Sequence, residues 1–191
     1  MAYLSIVGTG NMGQAIAGVV GKGGHTVQLI GVGDTDVAVA GDVVVLAVPY
    51  SAVAGAIAQR GEQLSGKIVV DITNPLDFET FDSLVVPANS SAAAEIAAAL
   101  PNSQVLKAFS TTFAATLTAG TVGPLATTVL IAGDDASAKS TLTGIVTSGG
   151  LEAVDAGSLS RARELEALGF LQLTLAVAET VPWTGGFGLV T

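Results

Sequence analysis

Gly8, Gly10 and Gly13 stand at the spacing G-x-G-x-x-G inside "YLSIVGTGNMGQAIAGVV", residues 3–20. The chemistry that suits such a trio is the holding of a pyrophosphate. The first glycine permits a tight turn, the second lets backbone approach the anion, and the third lets a helix pack closely on a strand. The free N–H groups of Asn11 and Met12, with Thr9 in the same loop, then face the phosphates at the positive end of the helix dipole. In a chain with 24 glycines the spacing alone says little. Its setting says more: an apolar strand runs into it, a helix opens out of it, and a second strand begins within about 30 residues, as a βαβ unit requires. A glycine turn that only packs is the rival reading.

Acid–base machinery is scarce. The one histidine, His25, enters the second strand at the end opposite the expected site and reads as structural, and there is no cysteine. No Ser-His-Asp or His-Glu metal constellation can be built from that set. Tyr50 is the other proton donor expected near the site, or else a ring packed at a strand–helix turn. Asp71 and Asp77 flank "ITNPL" and read mainly as loop caps. A dinucleotide that carries its own chemistry needs alignment and dryness more than a protein base. Pro49, Tyr50, Asn74, Pro75, Leu76 and Thr111 make a candidate pocket of that character, mostly apolar with a few hydrogen-bonding groups.

These residues must be held by repeated strand–helix units. Strands are expected at 3–7, 26–30, 42–48, 67–72, 104–109, 127–132 and 151–156. Helices are expected at 11–21, 51–60, 91–100, about 112–119, 135–148 and 159–180. The strand runs are nearly continuously apolar, as buried parallel strands are. The alternation predicts an α/β, Rossmann-type doubly wound, mostly parallel sheet with right-handed crossovers. One dinucleotide-binding domain over 1–191 is expected, with a C-terminal helix and tail over about 159–191. Between Ile30 and Asp42 lies only "GVGDTDVAVAG". One short helix fits there, started by Asp34 or Thr35 and ended by Gly41. The first mononucleotide half is therefore shortened, its third strand missing, and the second strand becomes a sheet edge.

Which nucleotide binds depends on the tip of that second strand. An acidic side chain there favours the ribose 2′-OH of NAD, and a basic one the 2′-phosphate of NADP. The tip is Gly31, Val32, Gly33 and Asp34, with no Arg or Lys, and Asp34 serves equally as a helix cap. NAD and NADP both stay open.

Half of the residues are hydrophobic, 12% are charged and the net charge is −9, with a mean hydropathy of +0.65. That supports a sizeable core and argues against nucleic acid or an anionic membrane surface as partners. The longest apolar run, "DVVVLAVP", is far short of the ~20 residues a membrane helix needs. No basic segment precedes an apolar stretch at the start, so no signal peptide and a cytoplasmic location are expected.

In order along the chain, "IVGTGNMGQAIA", "DVVVLAVPYSAV", "GKIVVDITNPLDF", "VLKAFSTTFAATL", "VLIAGDD" and "DAGSLSRARELEAL" resemble the dinucleotide-binding oxidoreductases grouped with NADPH-dependent reductases of the deazaflavin coenzyme F-420. The same order is similar to the cytosolic reductase domain of the six-transmembrane epithelial antigen metalloreductases. The resemblance covers nearly the whole chain. It implies an NAD(P)H-dependent oxidoreductase that passes hydride to a deazaflavin, a flavin or a small organic acceptor. Thr9, Gly10, Asn11 and Met12 match the family's pyrophosphate loop. Gly31, Val32 and Gly33 fall where the family has Ser/Thr and Arg/Lys for the 2′-phosphate, and this chain departs there. Ala47, Val48, Pro49 and Tyr50 match a strand end lying along the cofactor. Thr73, Asn74 and Pro75 match the next, flooring the nicotinamide and acceptor pocket. Phe109 to Thr112 match a loop facing the acceptor, although the metalloreductase-like pattern has Asn where Ser110 stands.

Asn74 precedes a proline, so its backbone is extended and its amide is placed to fix the nicotinamide carboxamide. In "RARELEALGFLQLTLAVAE" the pairs Arg161–Glu164 and Arg163–Glu166 read as a solvated helix face. A homodimer is implied by the resemblance. The tail with Trp183, Phe187 and Leu189 would be buried between subunits, or on its own sheet. Two rival functions remain: a soluble flavin or ferric reductase, and a non-enzymatic NAD(P)-binding redox sensor.

Overall fold

The computed structural model describes residues 1–190; Thr191, the end of the expected unit, lies outside them. Five strands run parallel: β1 (Tyr3–Val7), β2 (Thr26–Ile30), β3 (Val43–Leu46), β4 (Ile68–Asp71) and β5 (Gln104–Lys107). A short hairpin of β6 (Thr121–Val122) and β7 (Leu125–Ala126) then reverses the chain. After it come β8 (Thr128–Gly133) and β9 (Glu152–Gly157). β8 pairs antiparallel to β5, and β9 pairs parallel to β8. The seven-stranded order is β2-β1-β3-β4-β5-β8-β9. The sheet is thus mostly parallel, as expected, with the last two strands reversed. The hairpin, hidden in "GTVGPLA", is the one element the sequence pattern does not suggest.

Helices α1 (Asn11–Lys22), α4 (Ala114–Ala119) and α5 (Ala136–Ser148) pack on one face, around Ile6, Ile16, Val45, Leu106, Ile131 and Leu142. Helices α2 (Tyr50–Leu64) and α3 (Ala92–Ala99) cover the other, around Val7, Ile30, Leu46, Val53, Val69 and Ile96. β3 reads VVVL and is buried throughout, the β-branched signature of a strand covered on both sides. α1 buries Ala15, Ile16, Val19 and Val20, one stripe at helical spacing. Ser91 and Asp135 cap α3 and α5 by accepting from the N–H groups of Ala94 and Ala138. A 3-10 turn (Leu159–Arg161) leads into α6 (Ala162–Val177).

β2 is the sheet edge, and the third strand of the first half is absent. The short helix expected between Asp34 and Gly41 does not form; the segment is turns followed by irregular chain. A few turn bonds close its first half, Asp34 N to Gly31 O, Thr35 N to Gly33 O and Val37 N to Asp34 O, and side chains from other elements bond much of the rest. Arg60 Nη1 and Nη2 donate to the carbonyls of Val37 and Asp34 at 2.6 and 2.5 Å. Gln28 donates to Ala38 O and accepts from Ala40 N at 2.9 and 3.1 Å. Gln63 accepts from Val39 N and Ser5 Oγ from Gly41 N, both at 2.8 Å. With these groups satisfied by side chains of other elements, the segment needs no helix, and Val39 is buried in the core.

Candidate functional site

The glycine loop has the geometry that the spacing predicts. Gly8 has φ +119°, and a Cβ there would lie 2.1 Å from Ala47 O. A Cβ on Gly13 would lie 2.2 Å from Gly8 O. Both positions therefore exclude any side chain. Around Gly10 a Cβ would meet nothing within 4 Å. Gly10 is also the N-cap of α1 and offers no side-chain cap, so the first-turn N–H groups lie open to a ligand. That open ground fits a pyrophosphate. Gly8 N donates to Ile30 O and Ala47 N to Val7 O, both at 2.8 Å. These bonds bring the loop, the β2 tip and the β3 end together at the carboxyl ends of the strands, where α/β folds bind ligands.

Beside the loop opens a cleft of about 380 Å³. Asn11 and Met12 form one side, Ile72 and Asn74 the β4 end, and Phe109, Ser110, Thr112 and Phe113 the β5 end. Trp183 closes it from the C-terminal tail, its ring centroid 5.0 Å from that of Phe113 at 54°. No lining residue is ionisable. Phe109 is buried and has φ +61°, a left-handed conformation that a bulky residue rarely adopts. Asn74 Nδ2 donates to Ser110 O at 2.8 Å. Asn74 Oδ1 and Ser110 Oγ are buried without a partner, as is Thr73 Oγ1. Orphaned polar atoms at such a floor are what a carboxamide would satisfy. α6 comes in close at Gly169, where a Cβ would lie 2.4 Å from Asn74 Oδ1.

Not every expected pocket residue meets there. Tyr50 opens α2 and faces outward, lining a groove between α2 and α3 and donating its hydroxyl to Glu95 Oε2. Burial, then the Glu95 carboxylate, push its pKa up to about 12. Thr111 lines a separate pocket with Thr128, Leu168 and Phe187. Pro75 and Leu76 are buried in the loop after β4, where Leu76 bridges Leu84. Pro49 is exposed at the N-terminus of α2, and Ala47 and Val48 lie behind the glycine loop. At the β2 tip Val32, Gly33 and Asp34 are exposed and Gly31 is half-buried. Asp34 Oδ2 accepts from Gly31 N at 2.7 Å, so it closes a turn and caps no helix. His25 bonds Ala2 N and Ser148 Oγ at 3.0 and 2.9 Å, a structural role. Asp77 caps its loop by accepting from Glu79 and Thr80, which holds its carboxyl below the usual range.

Under the floor lies a cluster the sequence does not announce. Lys107 is fully buried, with Asp71 Oδ2 at 2.7 Å and Glu166 Oε1 at 2.9 Å. It also donates to Thr73 O, while Asp71 Oδ1 accepts from Thr73 N at 2.8 Å. Glu166 in turn accepts from Ala92 N and Ala93 N at 2.9 and 3.3 Å, closing the start of α3. Its pairing with Arg163 on a solvated face is therefore not found: Arg163 pairs with Glu164, and Glu166 is buried. Burial raises the Glu166 pKa against the pull of Lys107. One lysine thus ties the ends of β4 and β5 to α6 and α3, and fixes Thr73 directly below Asn74.

A Rossmann sheet with an open glycine loop at the carboxyl ends of its strands is the arrangement of a dinucleotide-binding protein. Residues 26–75 match the family described as NADP oxidoreductase, coenzyme F420-dependent. The chain is 32% identical over 166 residues to the F420-dependent NADP reductase of Methanocaldococcus jannaschii, covering 85% of this chain and 74% of that protein. It is 37% identical over 107 residues to the metalloreductase STEAP3 of Rattus norvegicus, 56% of this chain and 21% of that one. A solved structure from Arthrobacter sp. FB24, provisionally assigned as an F420-dependent NADP reductase, superposes over 100% of both chains with a TM-score of 0.85 at 25% identity. The chain belongs to the coenzyme F420-dependent NADP oxidoreductase family. Among the described residues, no helix is long and apolar enough to cross a membrane, and no group of three or more His, Cys, Asp or Glu side chains is placed to hold a metal ion.

Proposed function

We propose that the protein, acting as one dinucleotide-binding unit, transfers hydride between a nicotinamide and a planar acceptor, a deazaflavin or flavin. The observation that carries this reading is the cleft itself: it lies against the glycine loop, is walled by aromatic and aliphatic side chains, and contains no acid or base. A nicotinamide held there would supply the hydride chemistry, with a planar ring beside it as acceptor. The chain's own work is to bind and align. The N–H groups at the start of α1 hold the pyrophosphate. Asn74 and Ser110 orient the carboxamide. Met12, Ile72, Phe113 and Trp183 keep water out and offer a ring a flat surface. No side chain moves a proton, so Tyr50 acts at a distance from the chemistry. A homodimer and a cytoplasmic location are part of the same reading; exposed Leu171, Val177, Phe187 and Leu189 on α6 and the tail support the subunit contact.

The test is the loss of 340 nm absorbance from NADH and NADPH with deazaflavin, FMN, ferric chelates and imines offered in turn. Oxidation that needs a deazaflavin or flavin agrees with the proposal. Preference for a ferric chelate favours a ferric reductase, and tight binding with no turnover on any acceptor favours a sensor. Asn74→Ala should lower both cofactor affinity and hydride-transfer rate; unchanged values would remove Asn74 from the site. Light scattering gives the subunit number.

A further inference from the structure

NADP differs from NAD by one dianionic group on the adenosine ribose, and in a Rossmann unit that group falls just past the second strand. Here the second strand ends at Ile30, whose carbonyl is bonded to Gly8 N, so its tip adjoins the proposed pyrophosphate ground. The first charged side chain beyond the tip is Asp34, exposed and held in place through Oδ2 by Gly31 N. Asp36 follows. A phosphate placed there would face carboxylates.

Every cation of the chain can be followed, and the sequence holds seven. Arg60 is nearest in the fold, yet it is 2% exposed and donates to the carbonyls of Val37 and Asp34 from beneath the segment. Lys67 donates to Gly41 O at 2.7 Å, at the opposite end of that segment. Lys22 ends α1 and reaches Thr118 O. Lys107 is buried with Asp71 and Glu166. Lys139 pairs with Asp155, and Arg161 and Arg163 lie beside Glu164 at the start of α6. None stands above the β2 tip. The pyrophosphate and carboxamide of NADP fit this chain; its 2′-phosphate does not.

We infer that this member of an NADP family selects NADH over NADPH, with Asp34 as the selecting residue. Its carboxylate accepts from the free ribose 2′-OH and repels a phosphate in the same place. The inference rests on the dinucleotide reading of the glycine loop. Fluorescence titration with NADH and NADPH tests it directly. NADH should bind at least about tenfold tighter. Asp34→Asn keeps an oxygen for Gly31 N but removes the charge, so it should improve NADPH binding several-fold and narrow the ratio. Asp34→Arg should reverse it. Equal affinities, or tighter NADPH, overturn the inference while leaving the dinucleotide reading intact. A ratio unmoved by Asp34→Asn in a folded variant overturns the role of Asp34. Failure of both nucleotides to bind overturns the dinucleotide reading as well.

Discussion

Three glycines within six residues obey three different constraints, and substitution separates them. Gly13 has no room for a methyl, so Gly13→Ala should cost about 1–3 kcal/mol, as overpacking does, visible as a lower urea midpoint. Gly10 has room and φ −72°, so Gly10→Ala should cost at most about 1 kcal/mol of capping. In the proposed reading it nevertheless weakens dinucleotide binding tenfold or more, about 1.4 kcal/mol, because the methyl stands where the pyrophosphate goes. Parallel losses of stability and binding in both variants would argue against that reading. Tyr50 makes a different prediction. Its pKa is raised from 10.0 to about 12 in the folded protein, so its contribution to stability is whole below pH 10 and fades as pH rises through about 12. Ultraviolet tyrosinate titration should show a step near pH 12 that Tyr50→Phe removes. The glycine loop is legible in sequence because backbone geometry dictates residue type there. Tyr50 is not placed so easily: it follows Pro49 at a strand end, but the helix starts on it, and the first turn carries the ring toward Glu95.

The β5 end and α6 illustrate what element patterns leave unsaid. "VLKAF" reads as an apolar strand with one stray lysine, and "RELE" as a charged helix start. Burial of Lys107 and Glu166 follows only from where β4, β5, α3 and α6 meet. Helical spacing favours the Arg163–Glu166 pair, and the tertiary need to close the start of α3 overrides it. Phe109 has a similar effect: its left-handed turn sets Ser110 and Thr112 on the cleft and Thr111 on the far side, which a regular strand continuation would not suggest. Lys107→Met should leave two buried carboxylates without their cation and cost about 3–5 kcal/mol. Denaturant unfolding measures this. Because Thr73 is released with it, cofactor affinity should fall even in the fraction that folds.

At the scale of the whole molecule, a net charge of −9 meets an anionic ligand. Long-range repulsion is screened by salt, so the association rate of NADH should rise a few-fold between about 10 and 150 mM ionic strength; a fall would point to a local cation at the entrance. Trp183, the sole tryptophan and 52% exposed, sits where the tail meets the cleft. In the proposed function Trp183→Ala should raise the acceptor KM several-fold with the cofactor Kd unchanged. The missing third strand is legible from length alone, since eleven residues between Ile30 and Asp42 cannot hold a helix–strand–helix. What fills the gap is not legible, because the segment's shape is written in Ser5, Gln28, Arg60 and Gln63, on other elements. Anyone grafting a longer, NADP-type loop onto this scaffold should therefore expect the transplant to fail by itself. Its hosts, Arg60 and Gln28 above all, would still be shaped to grip the short segment, and they would have to be redesigned together with the guest.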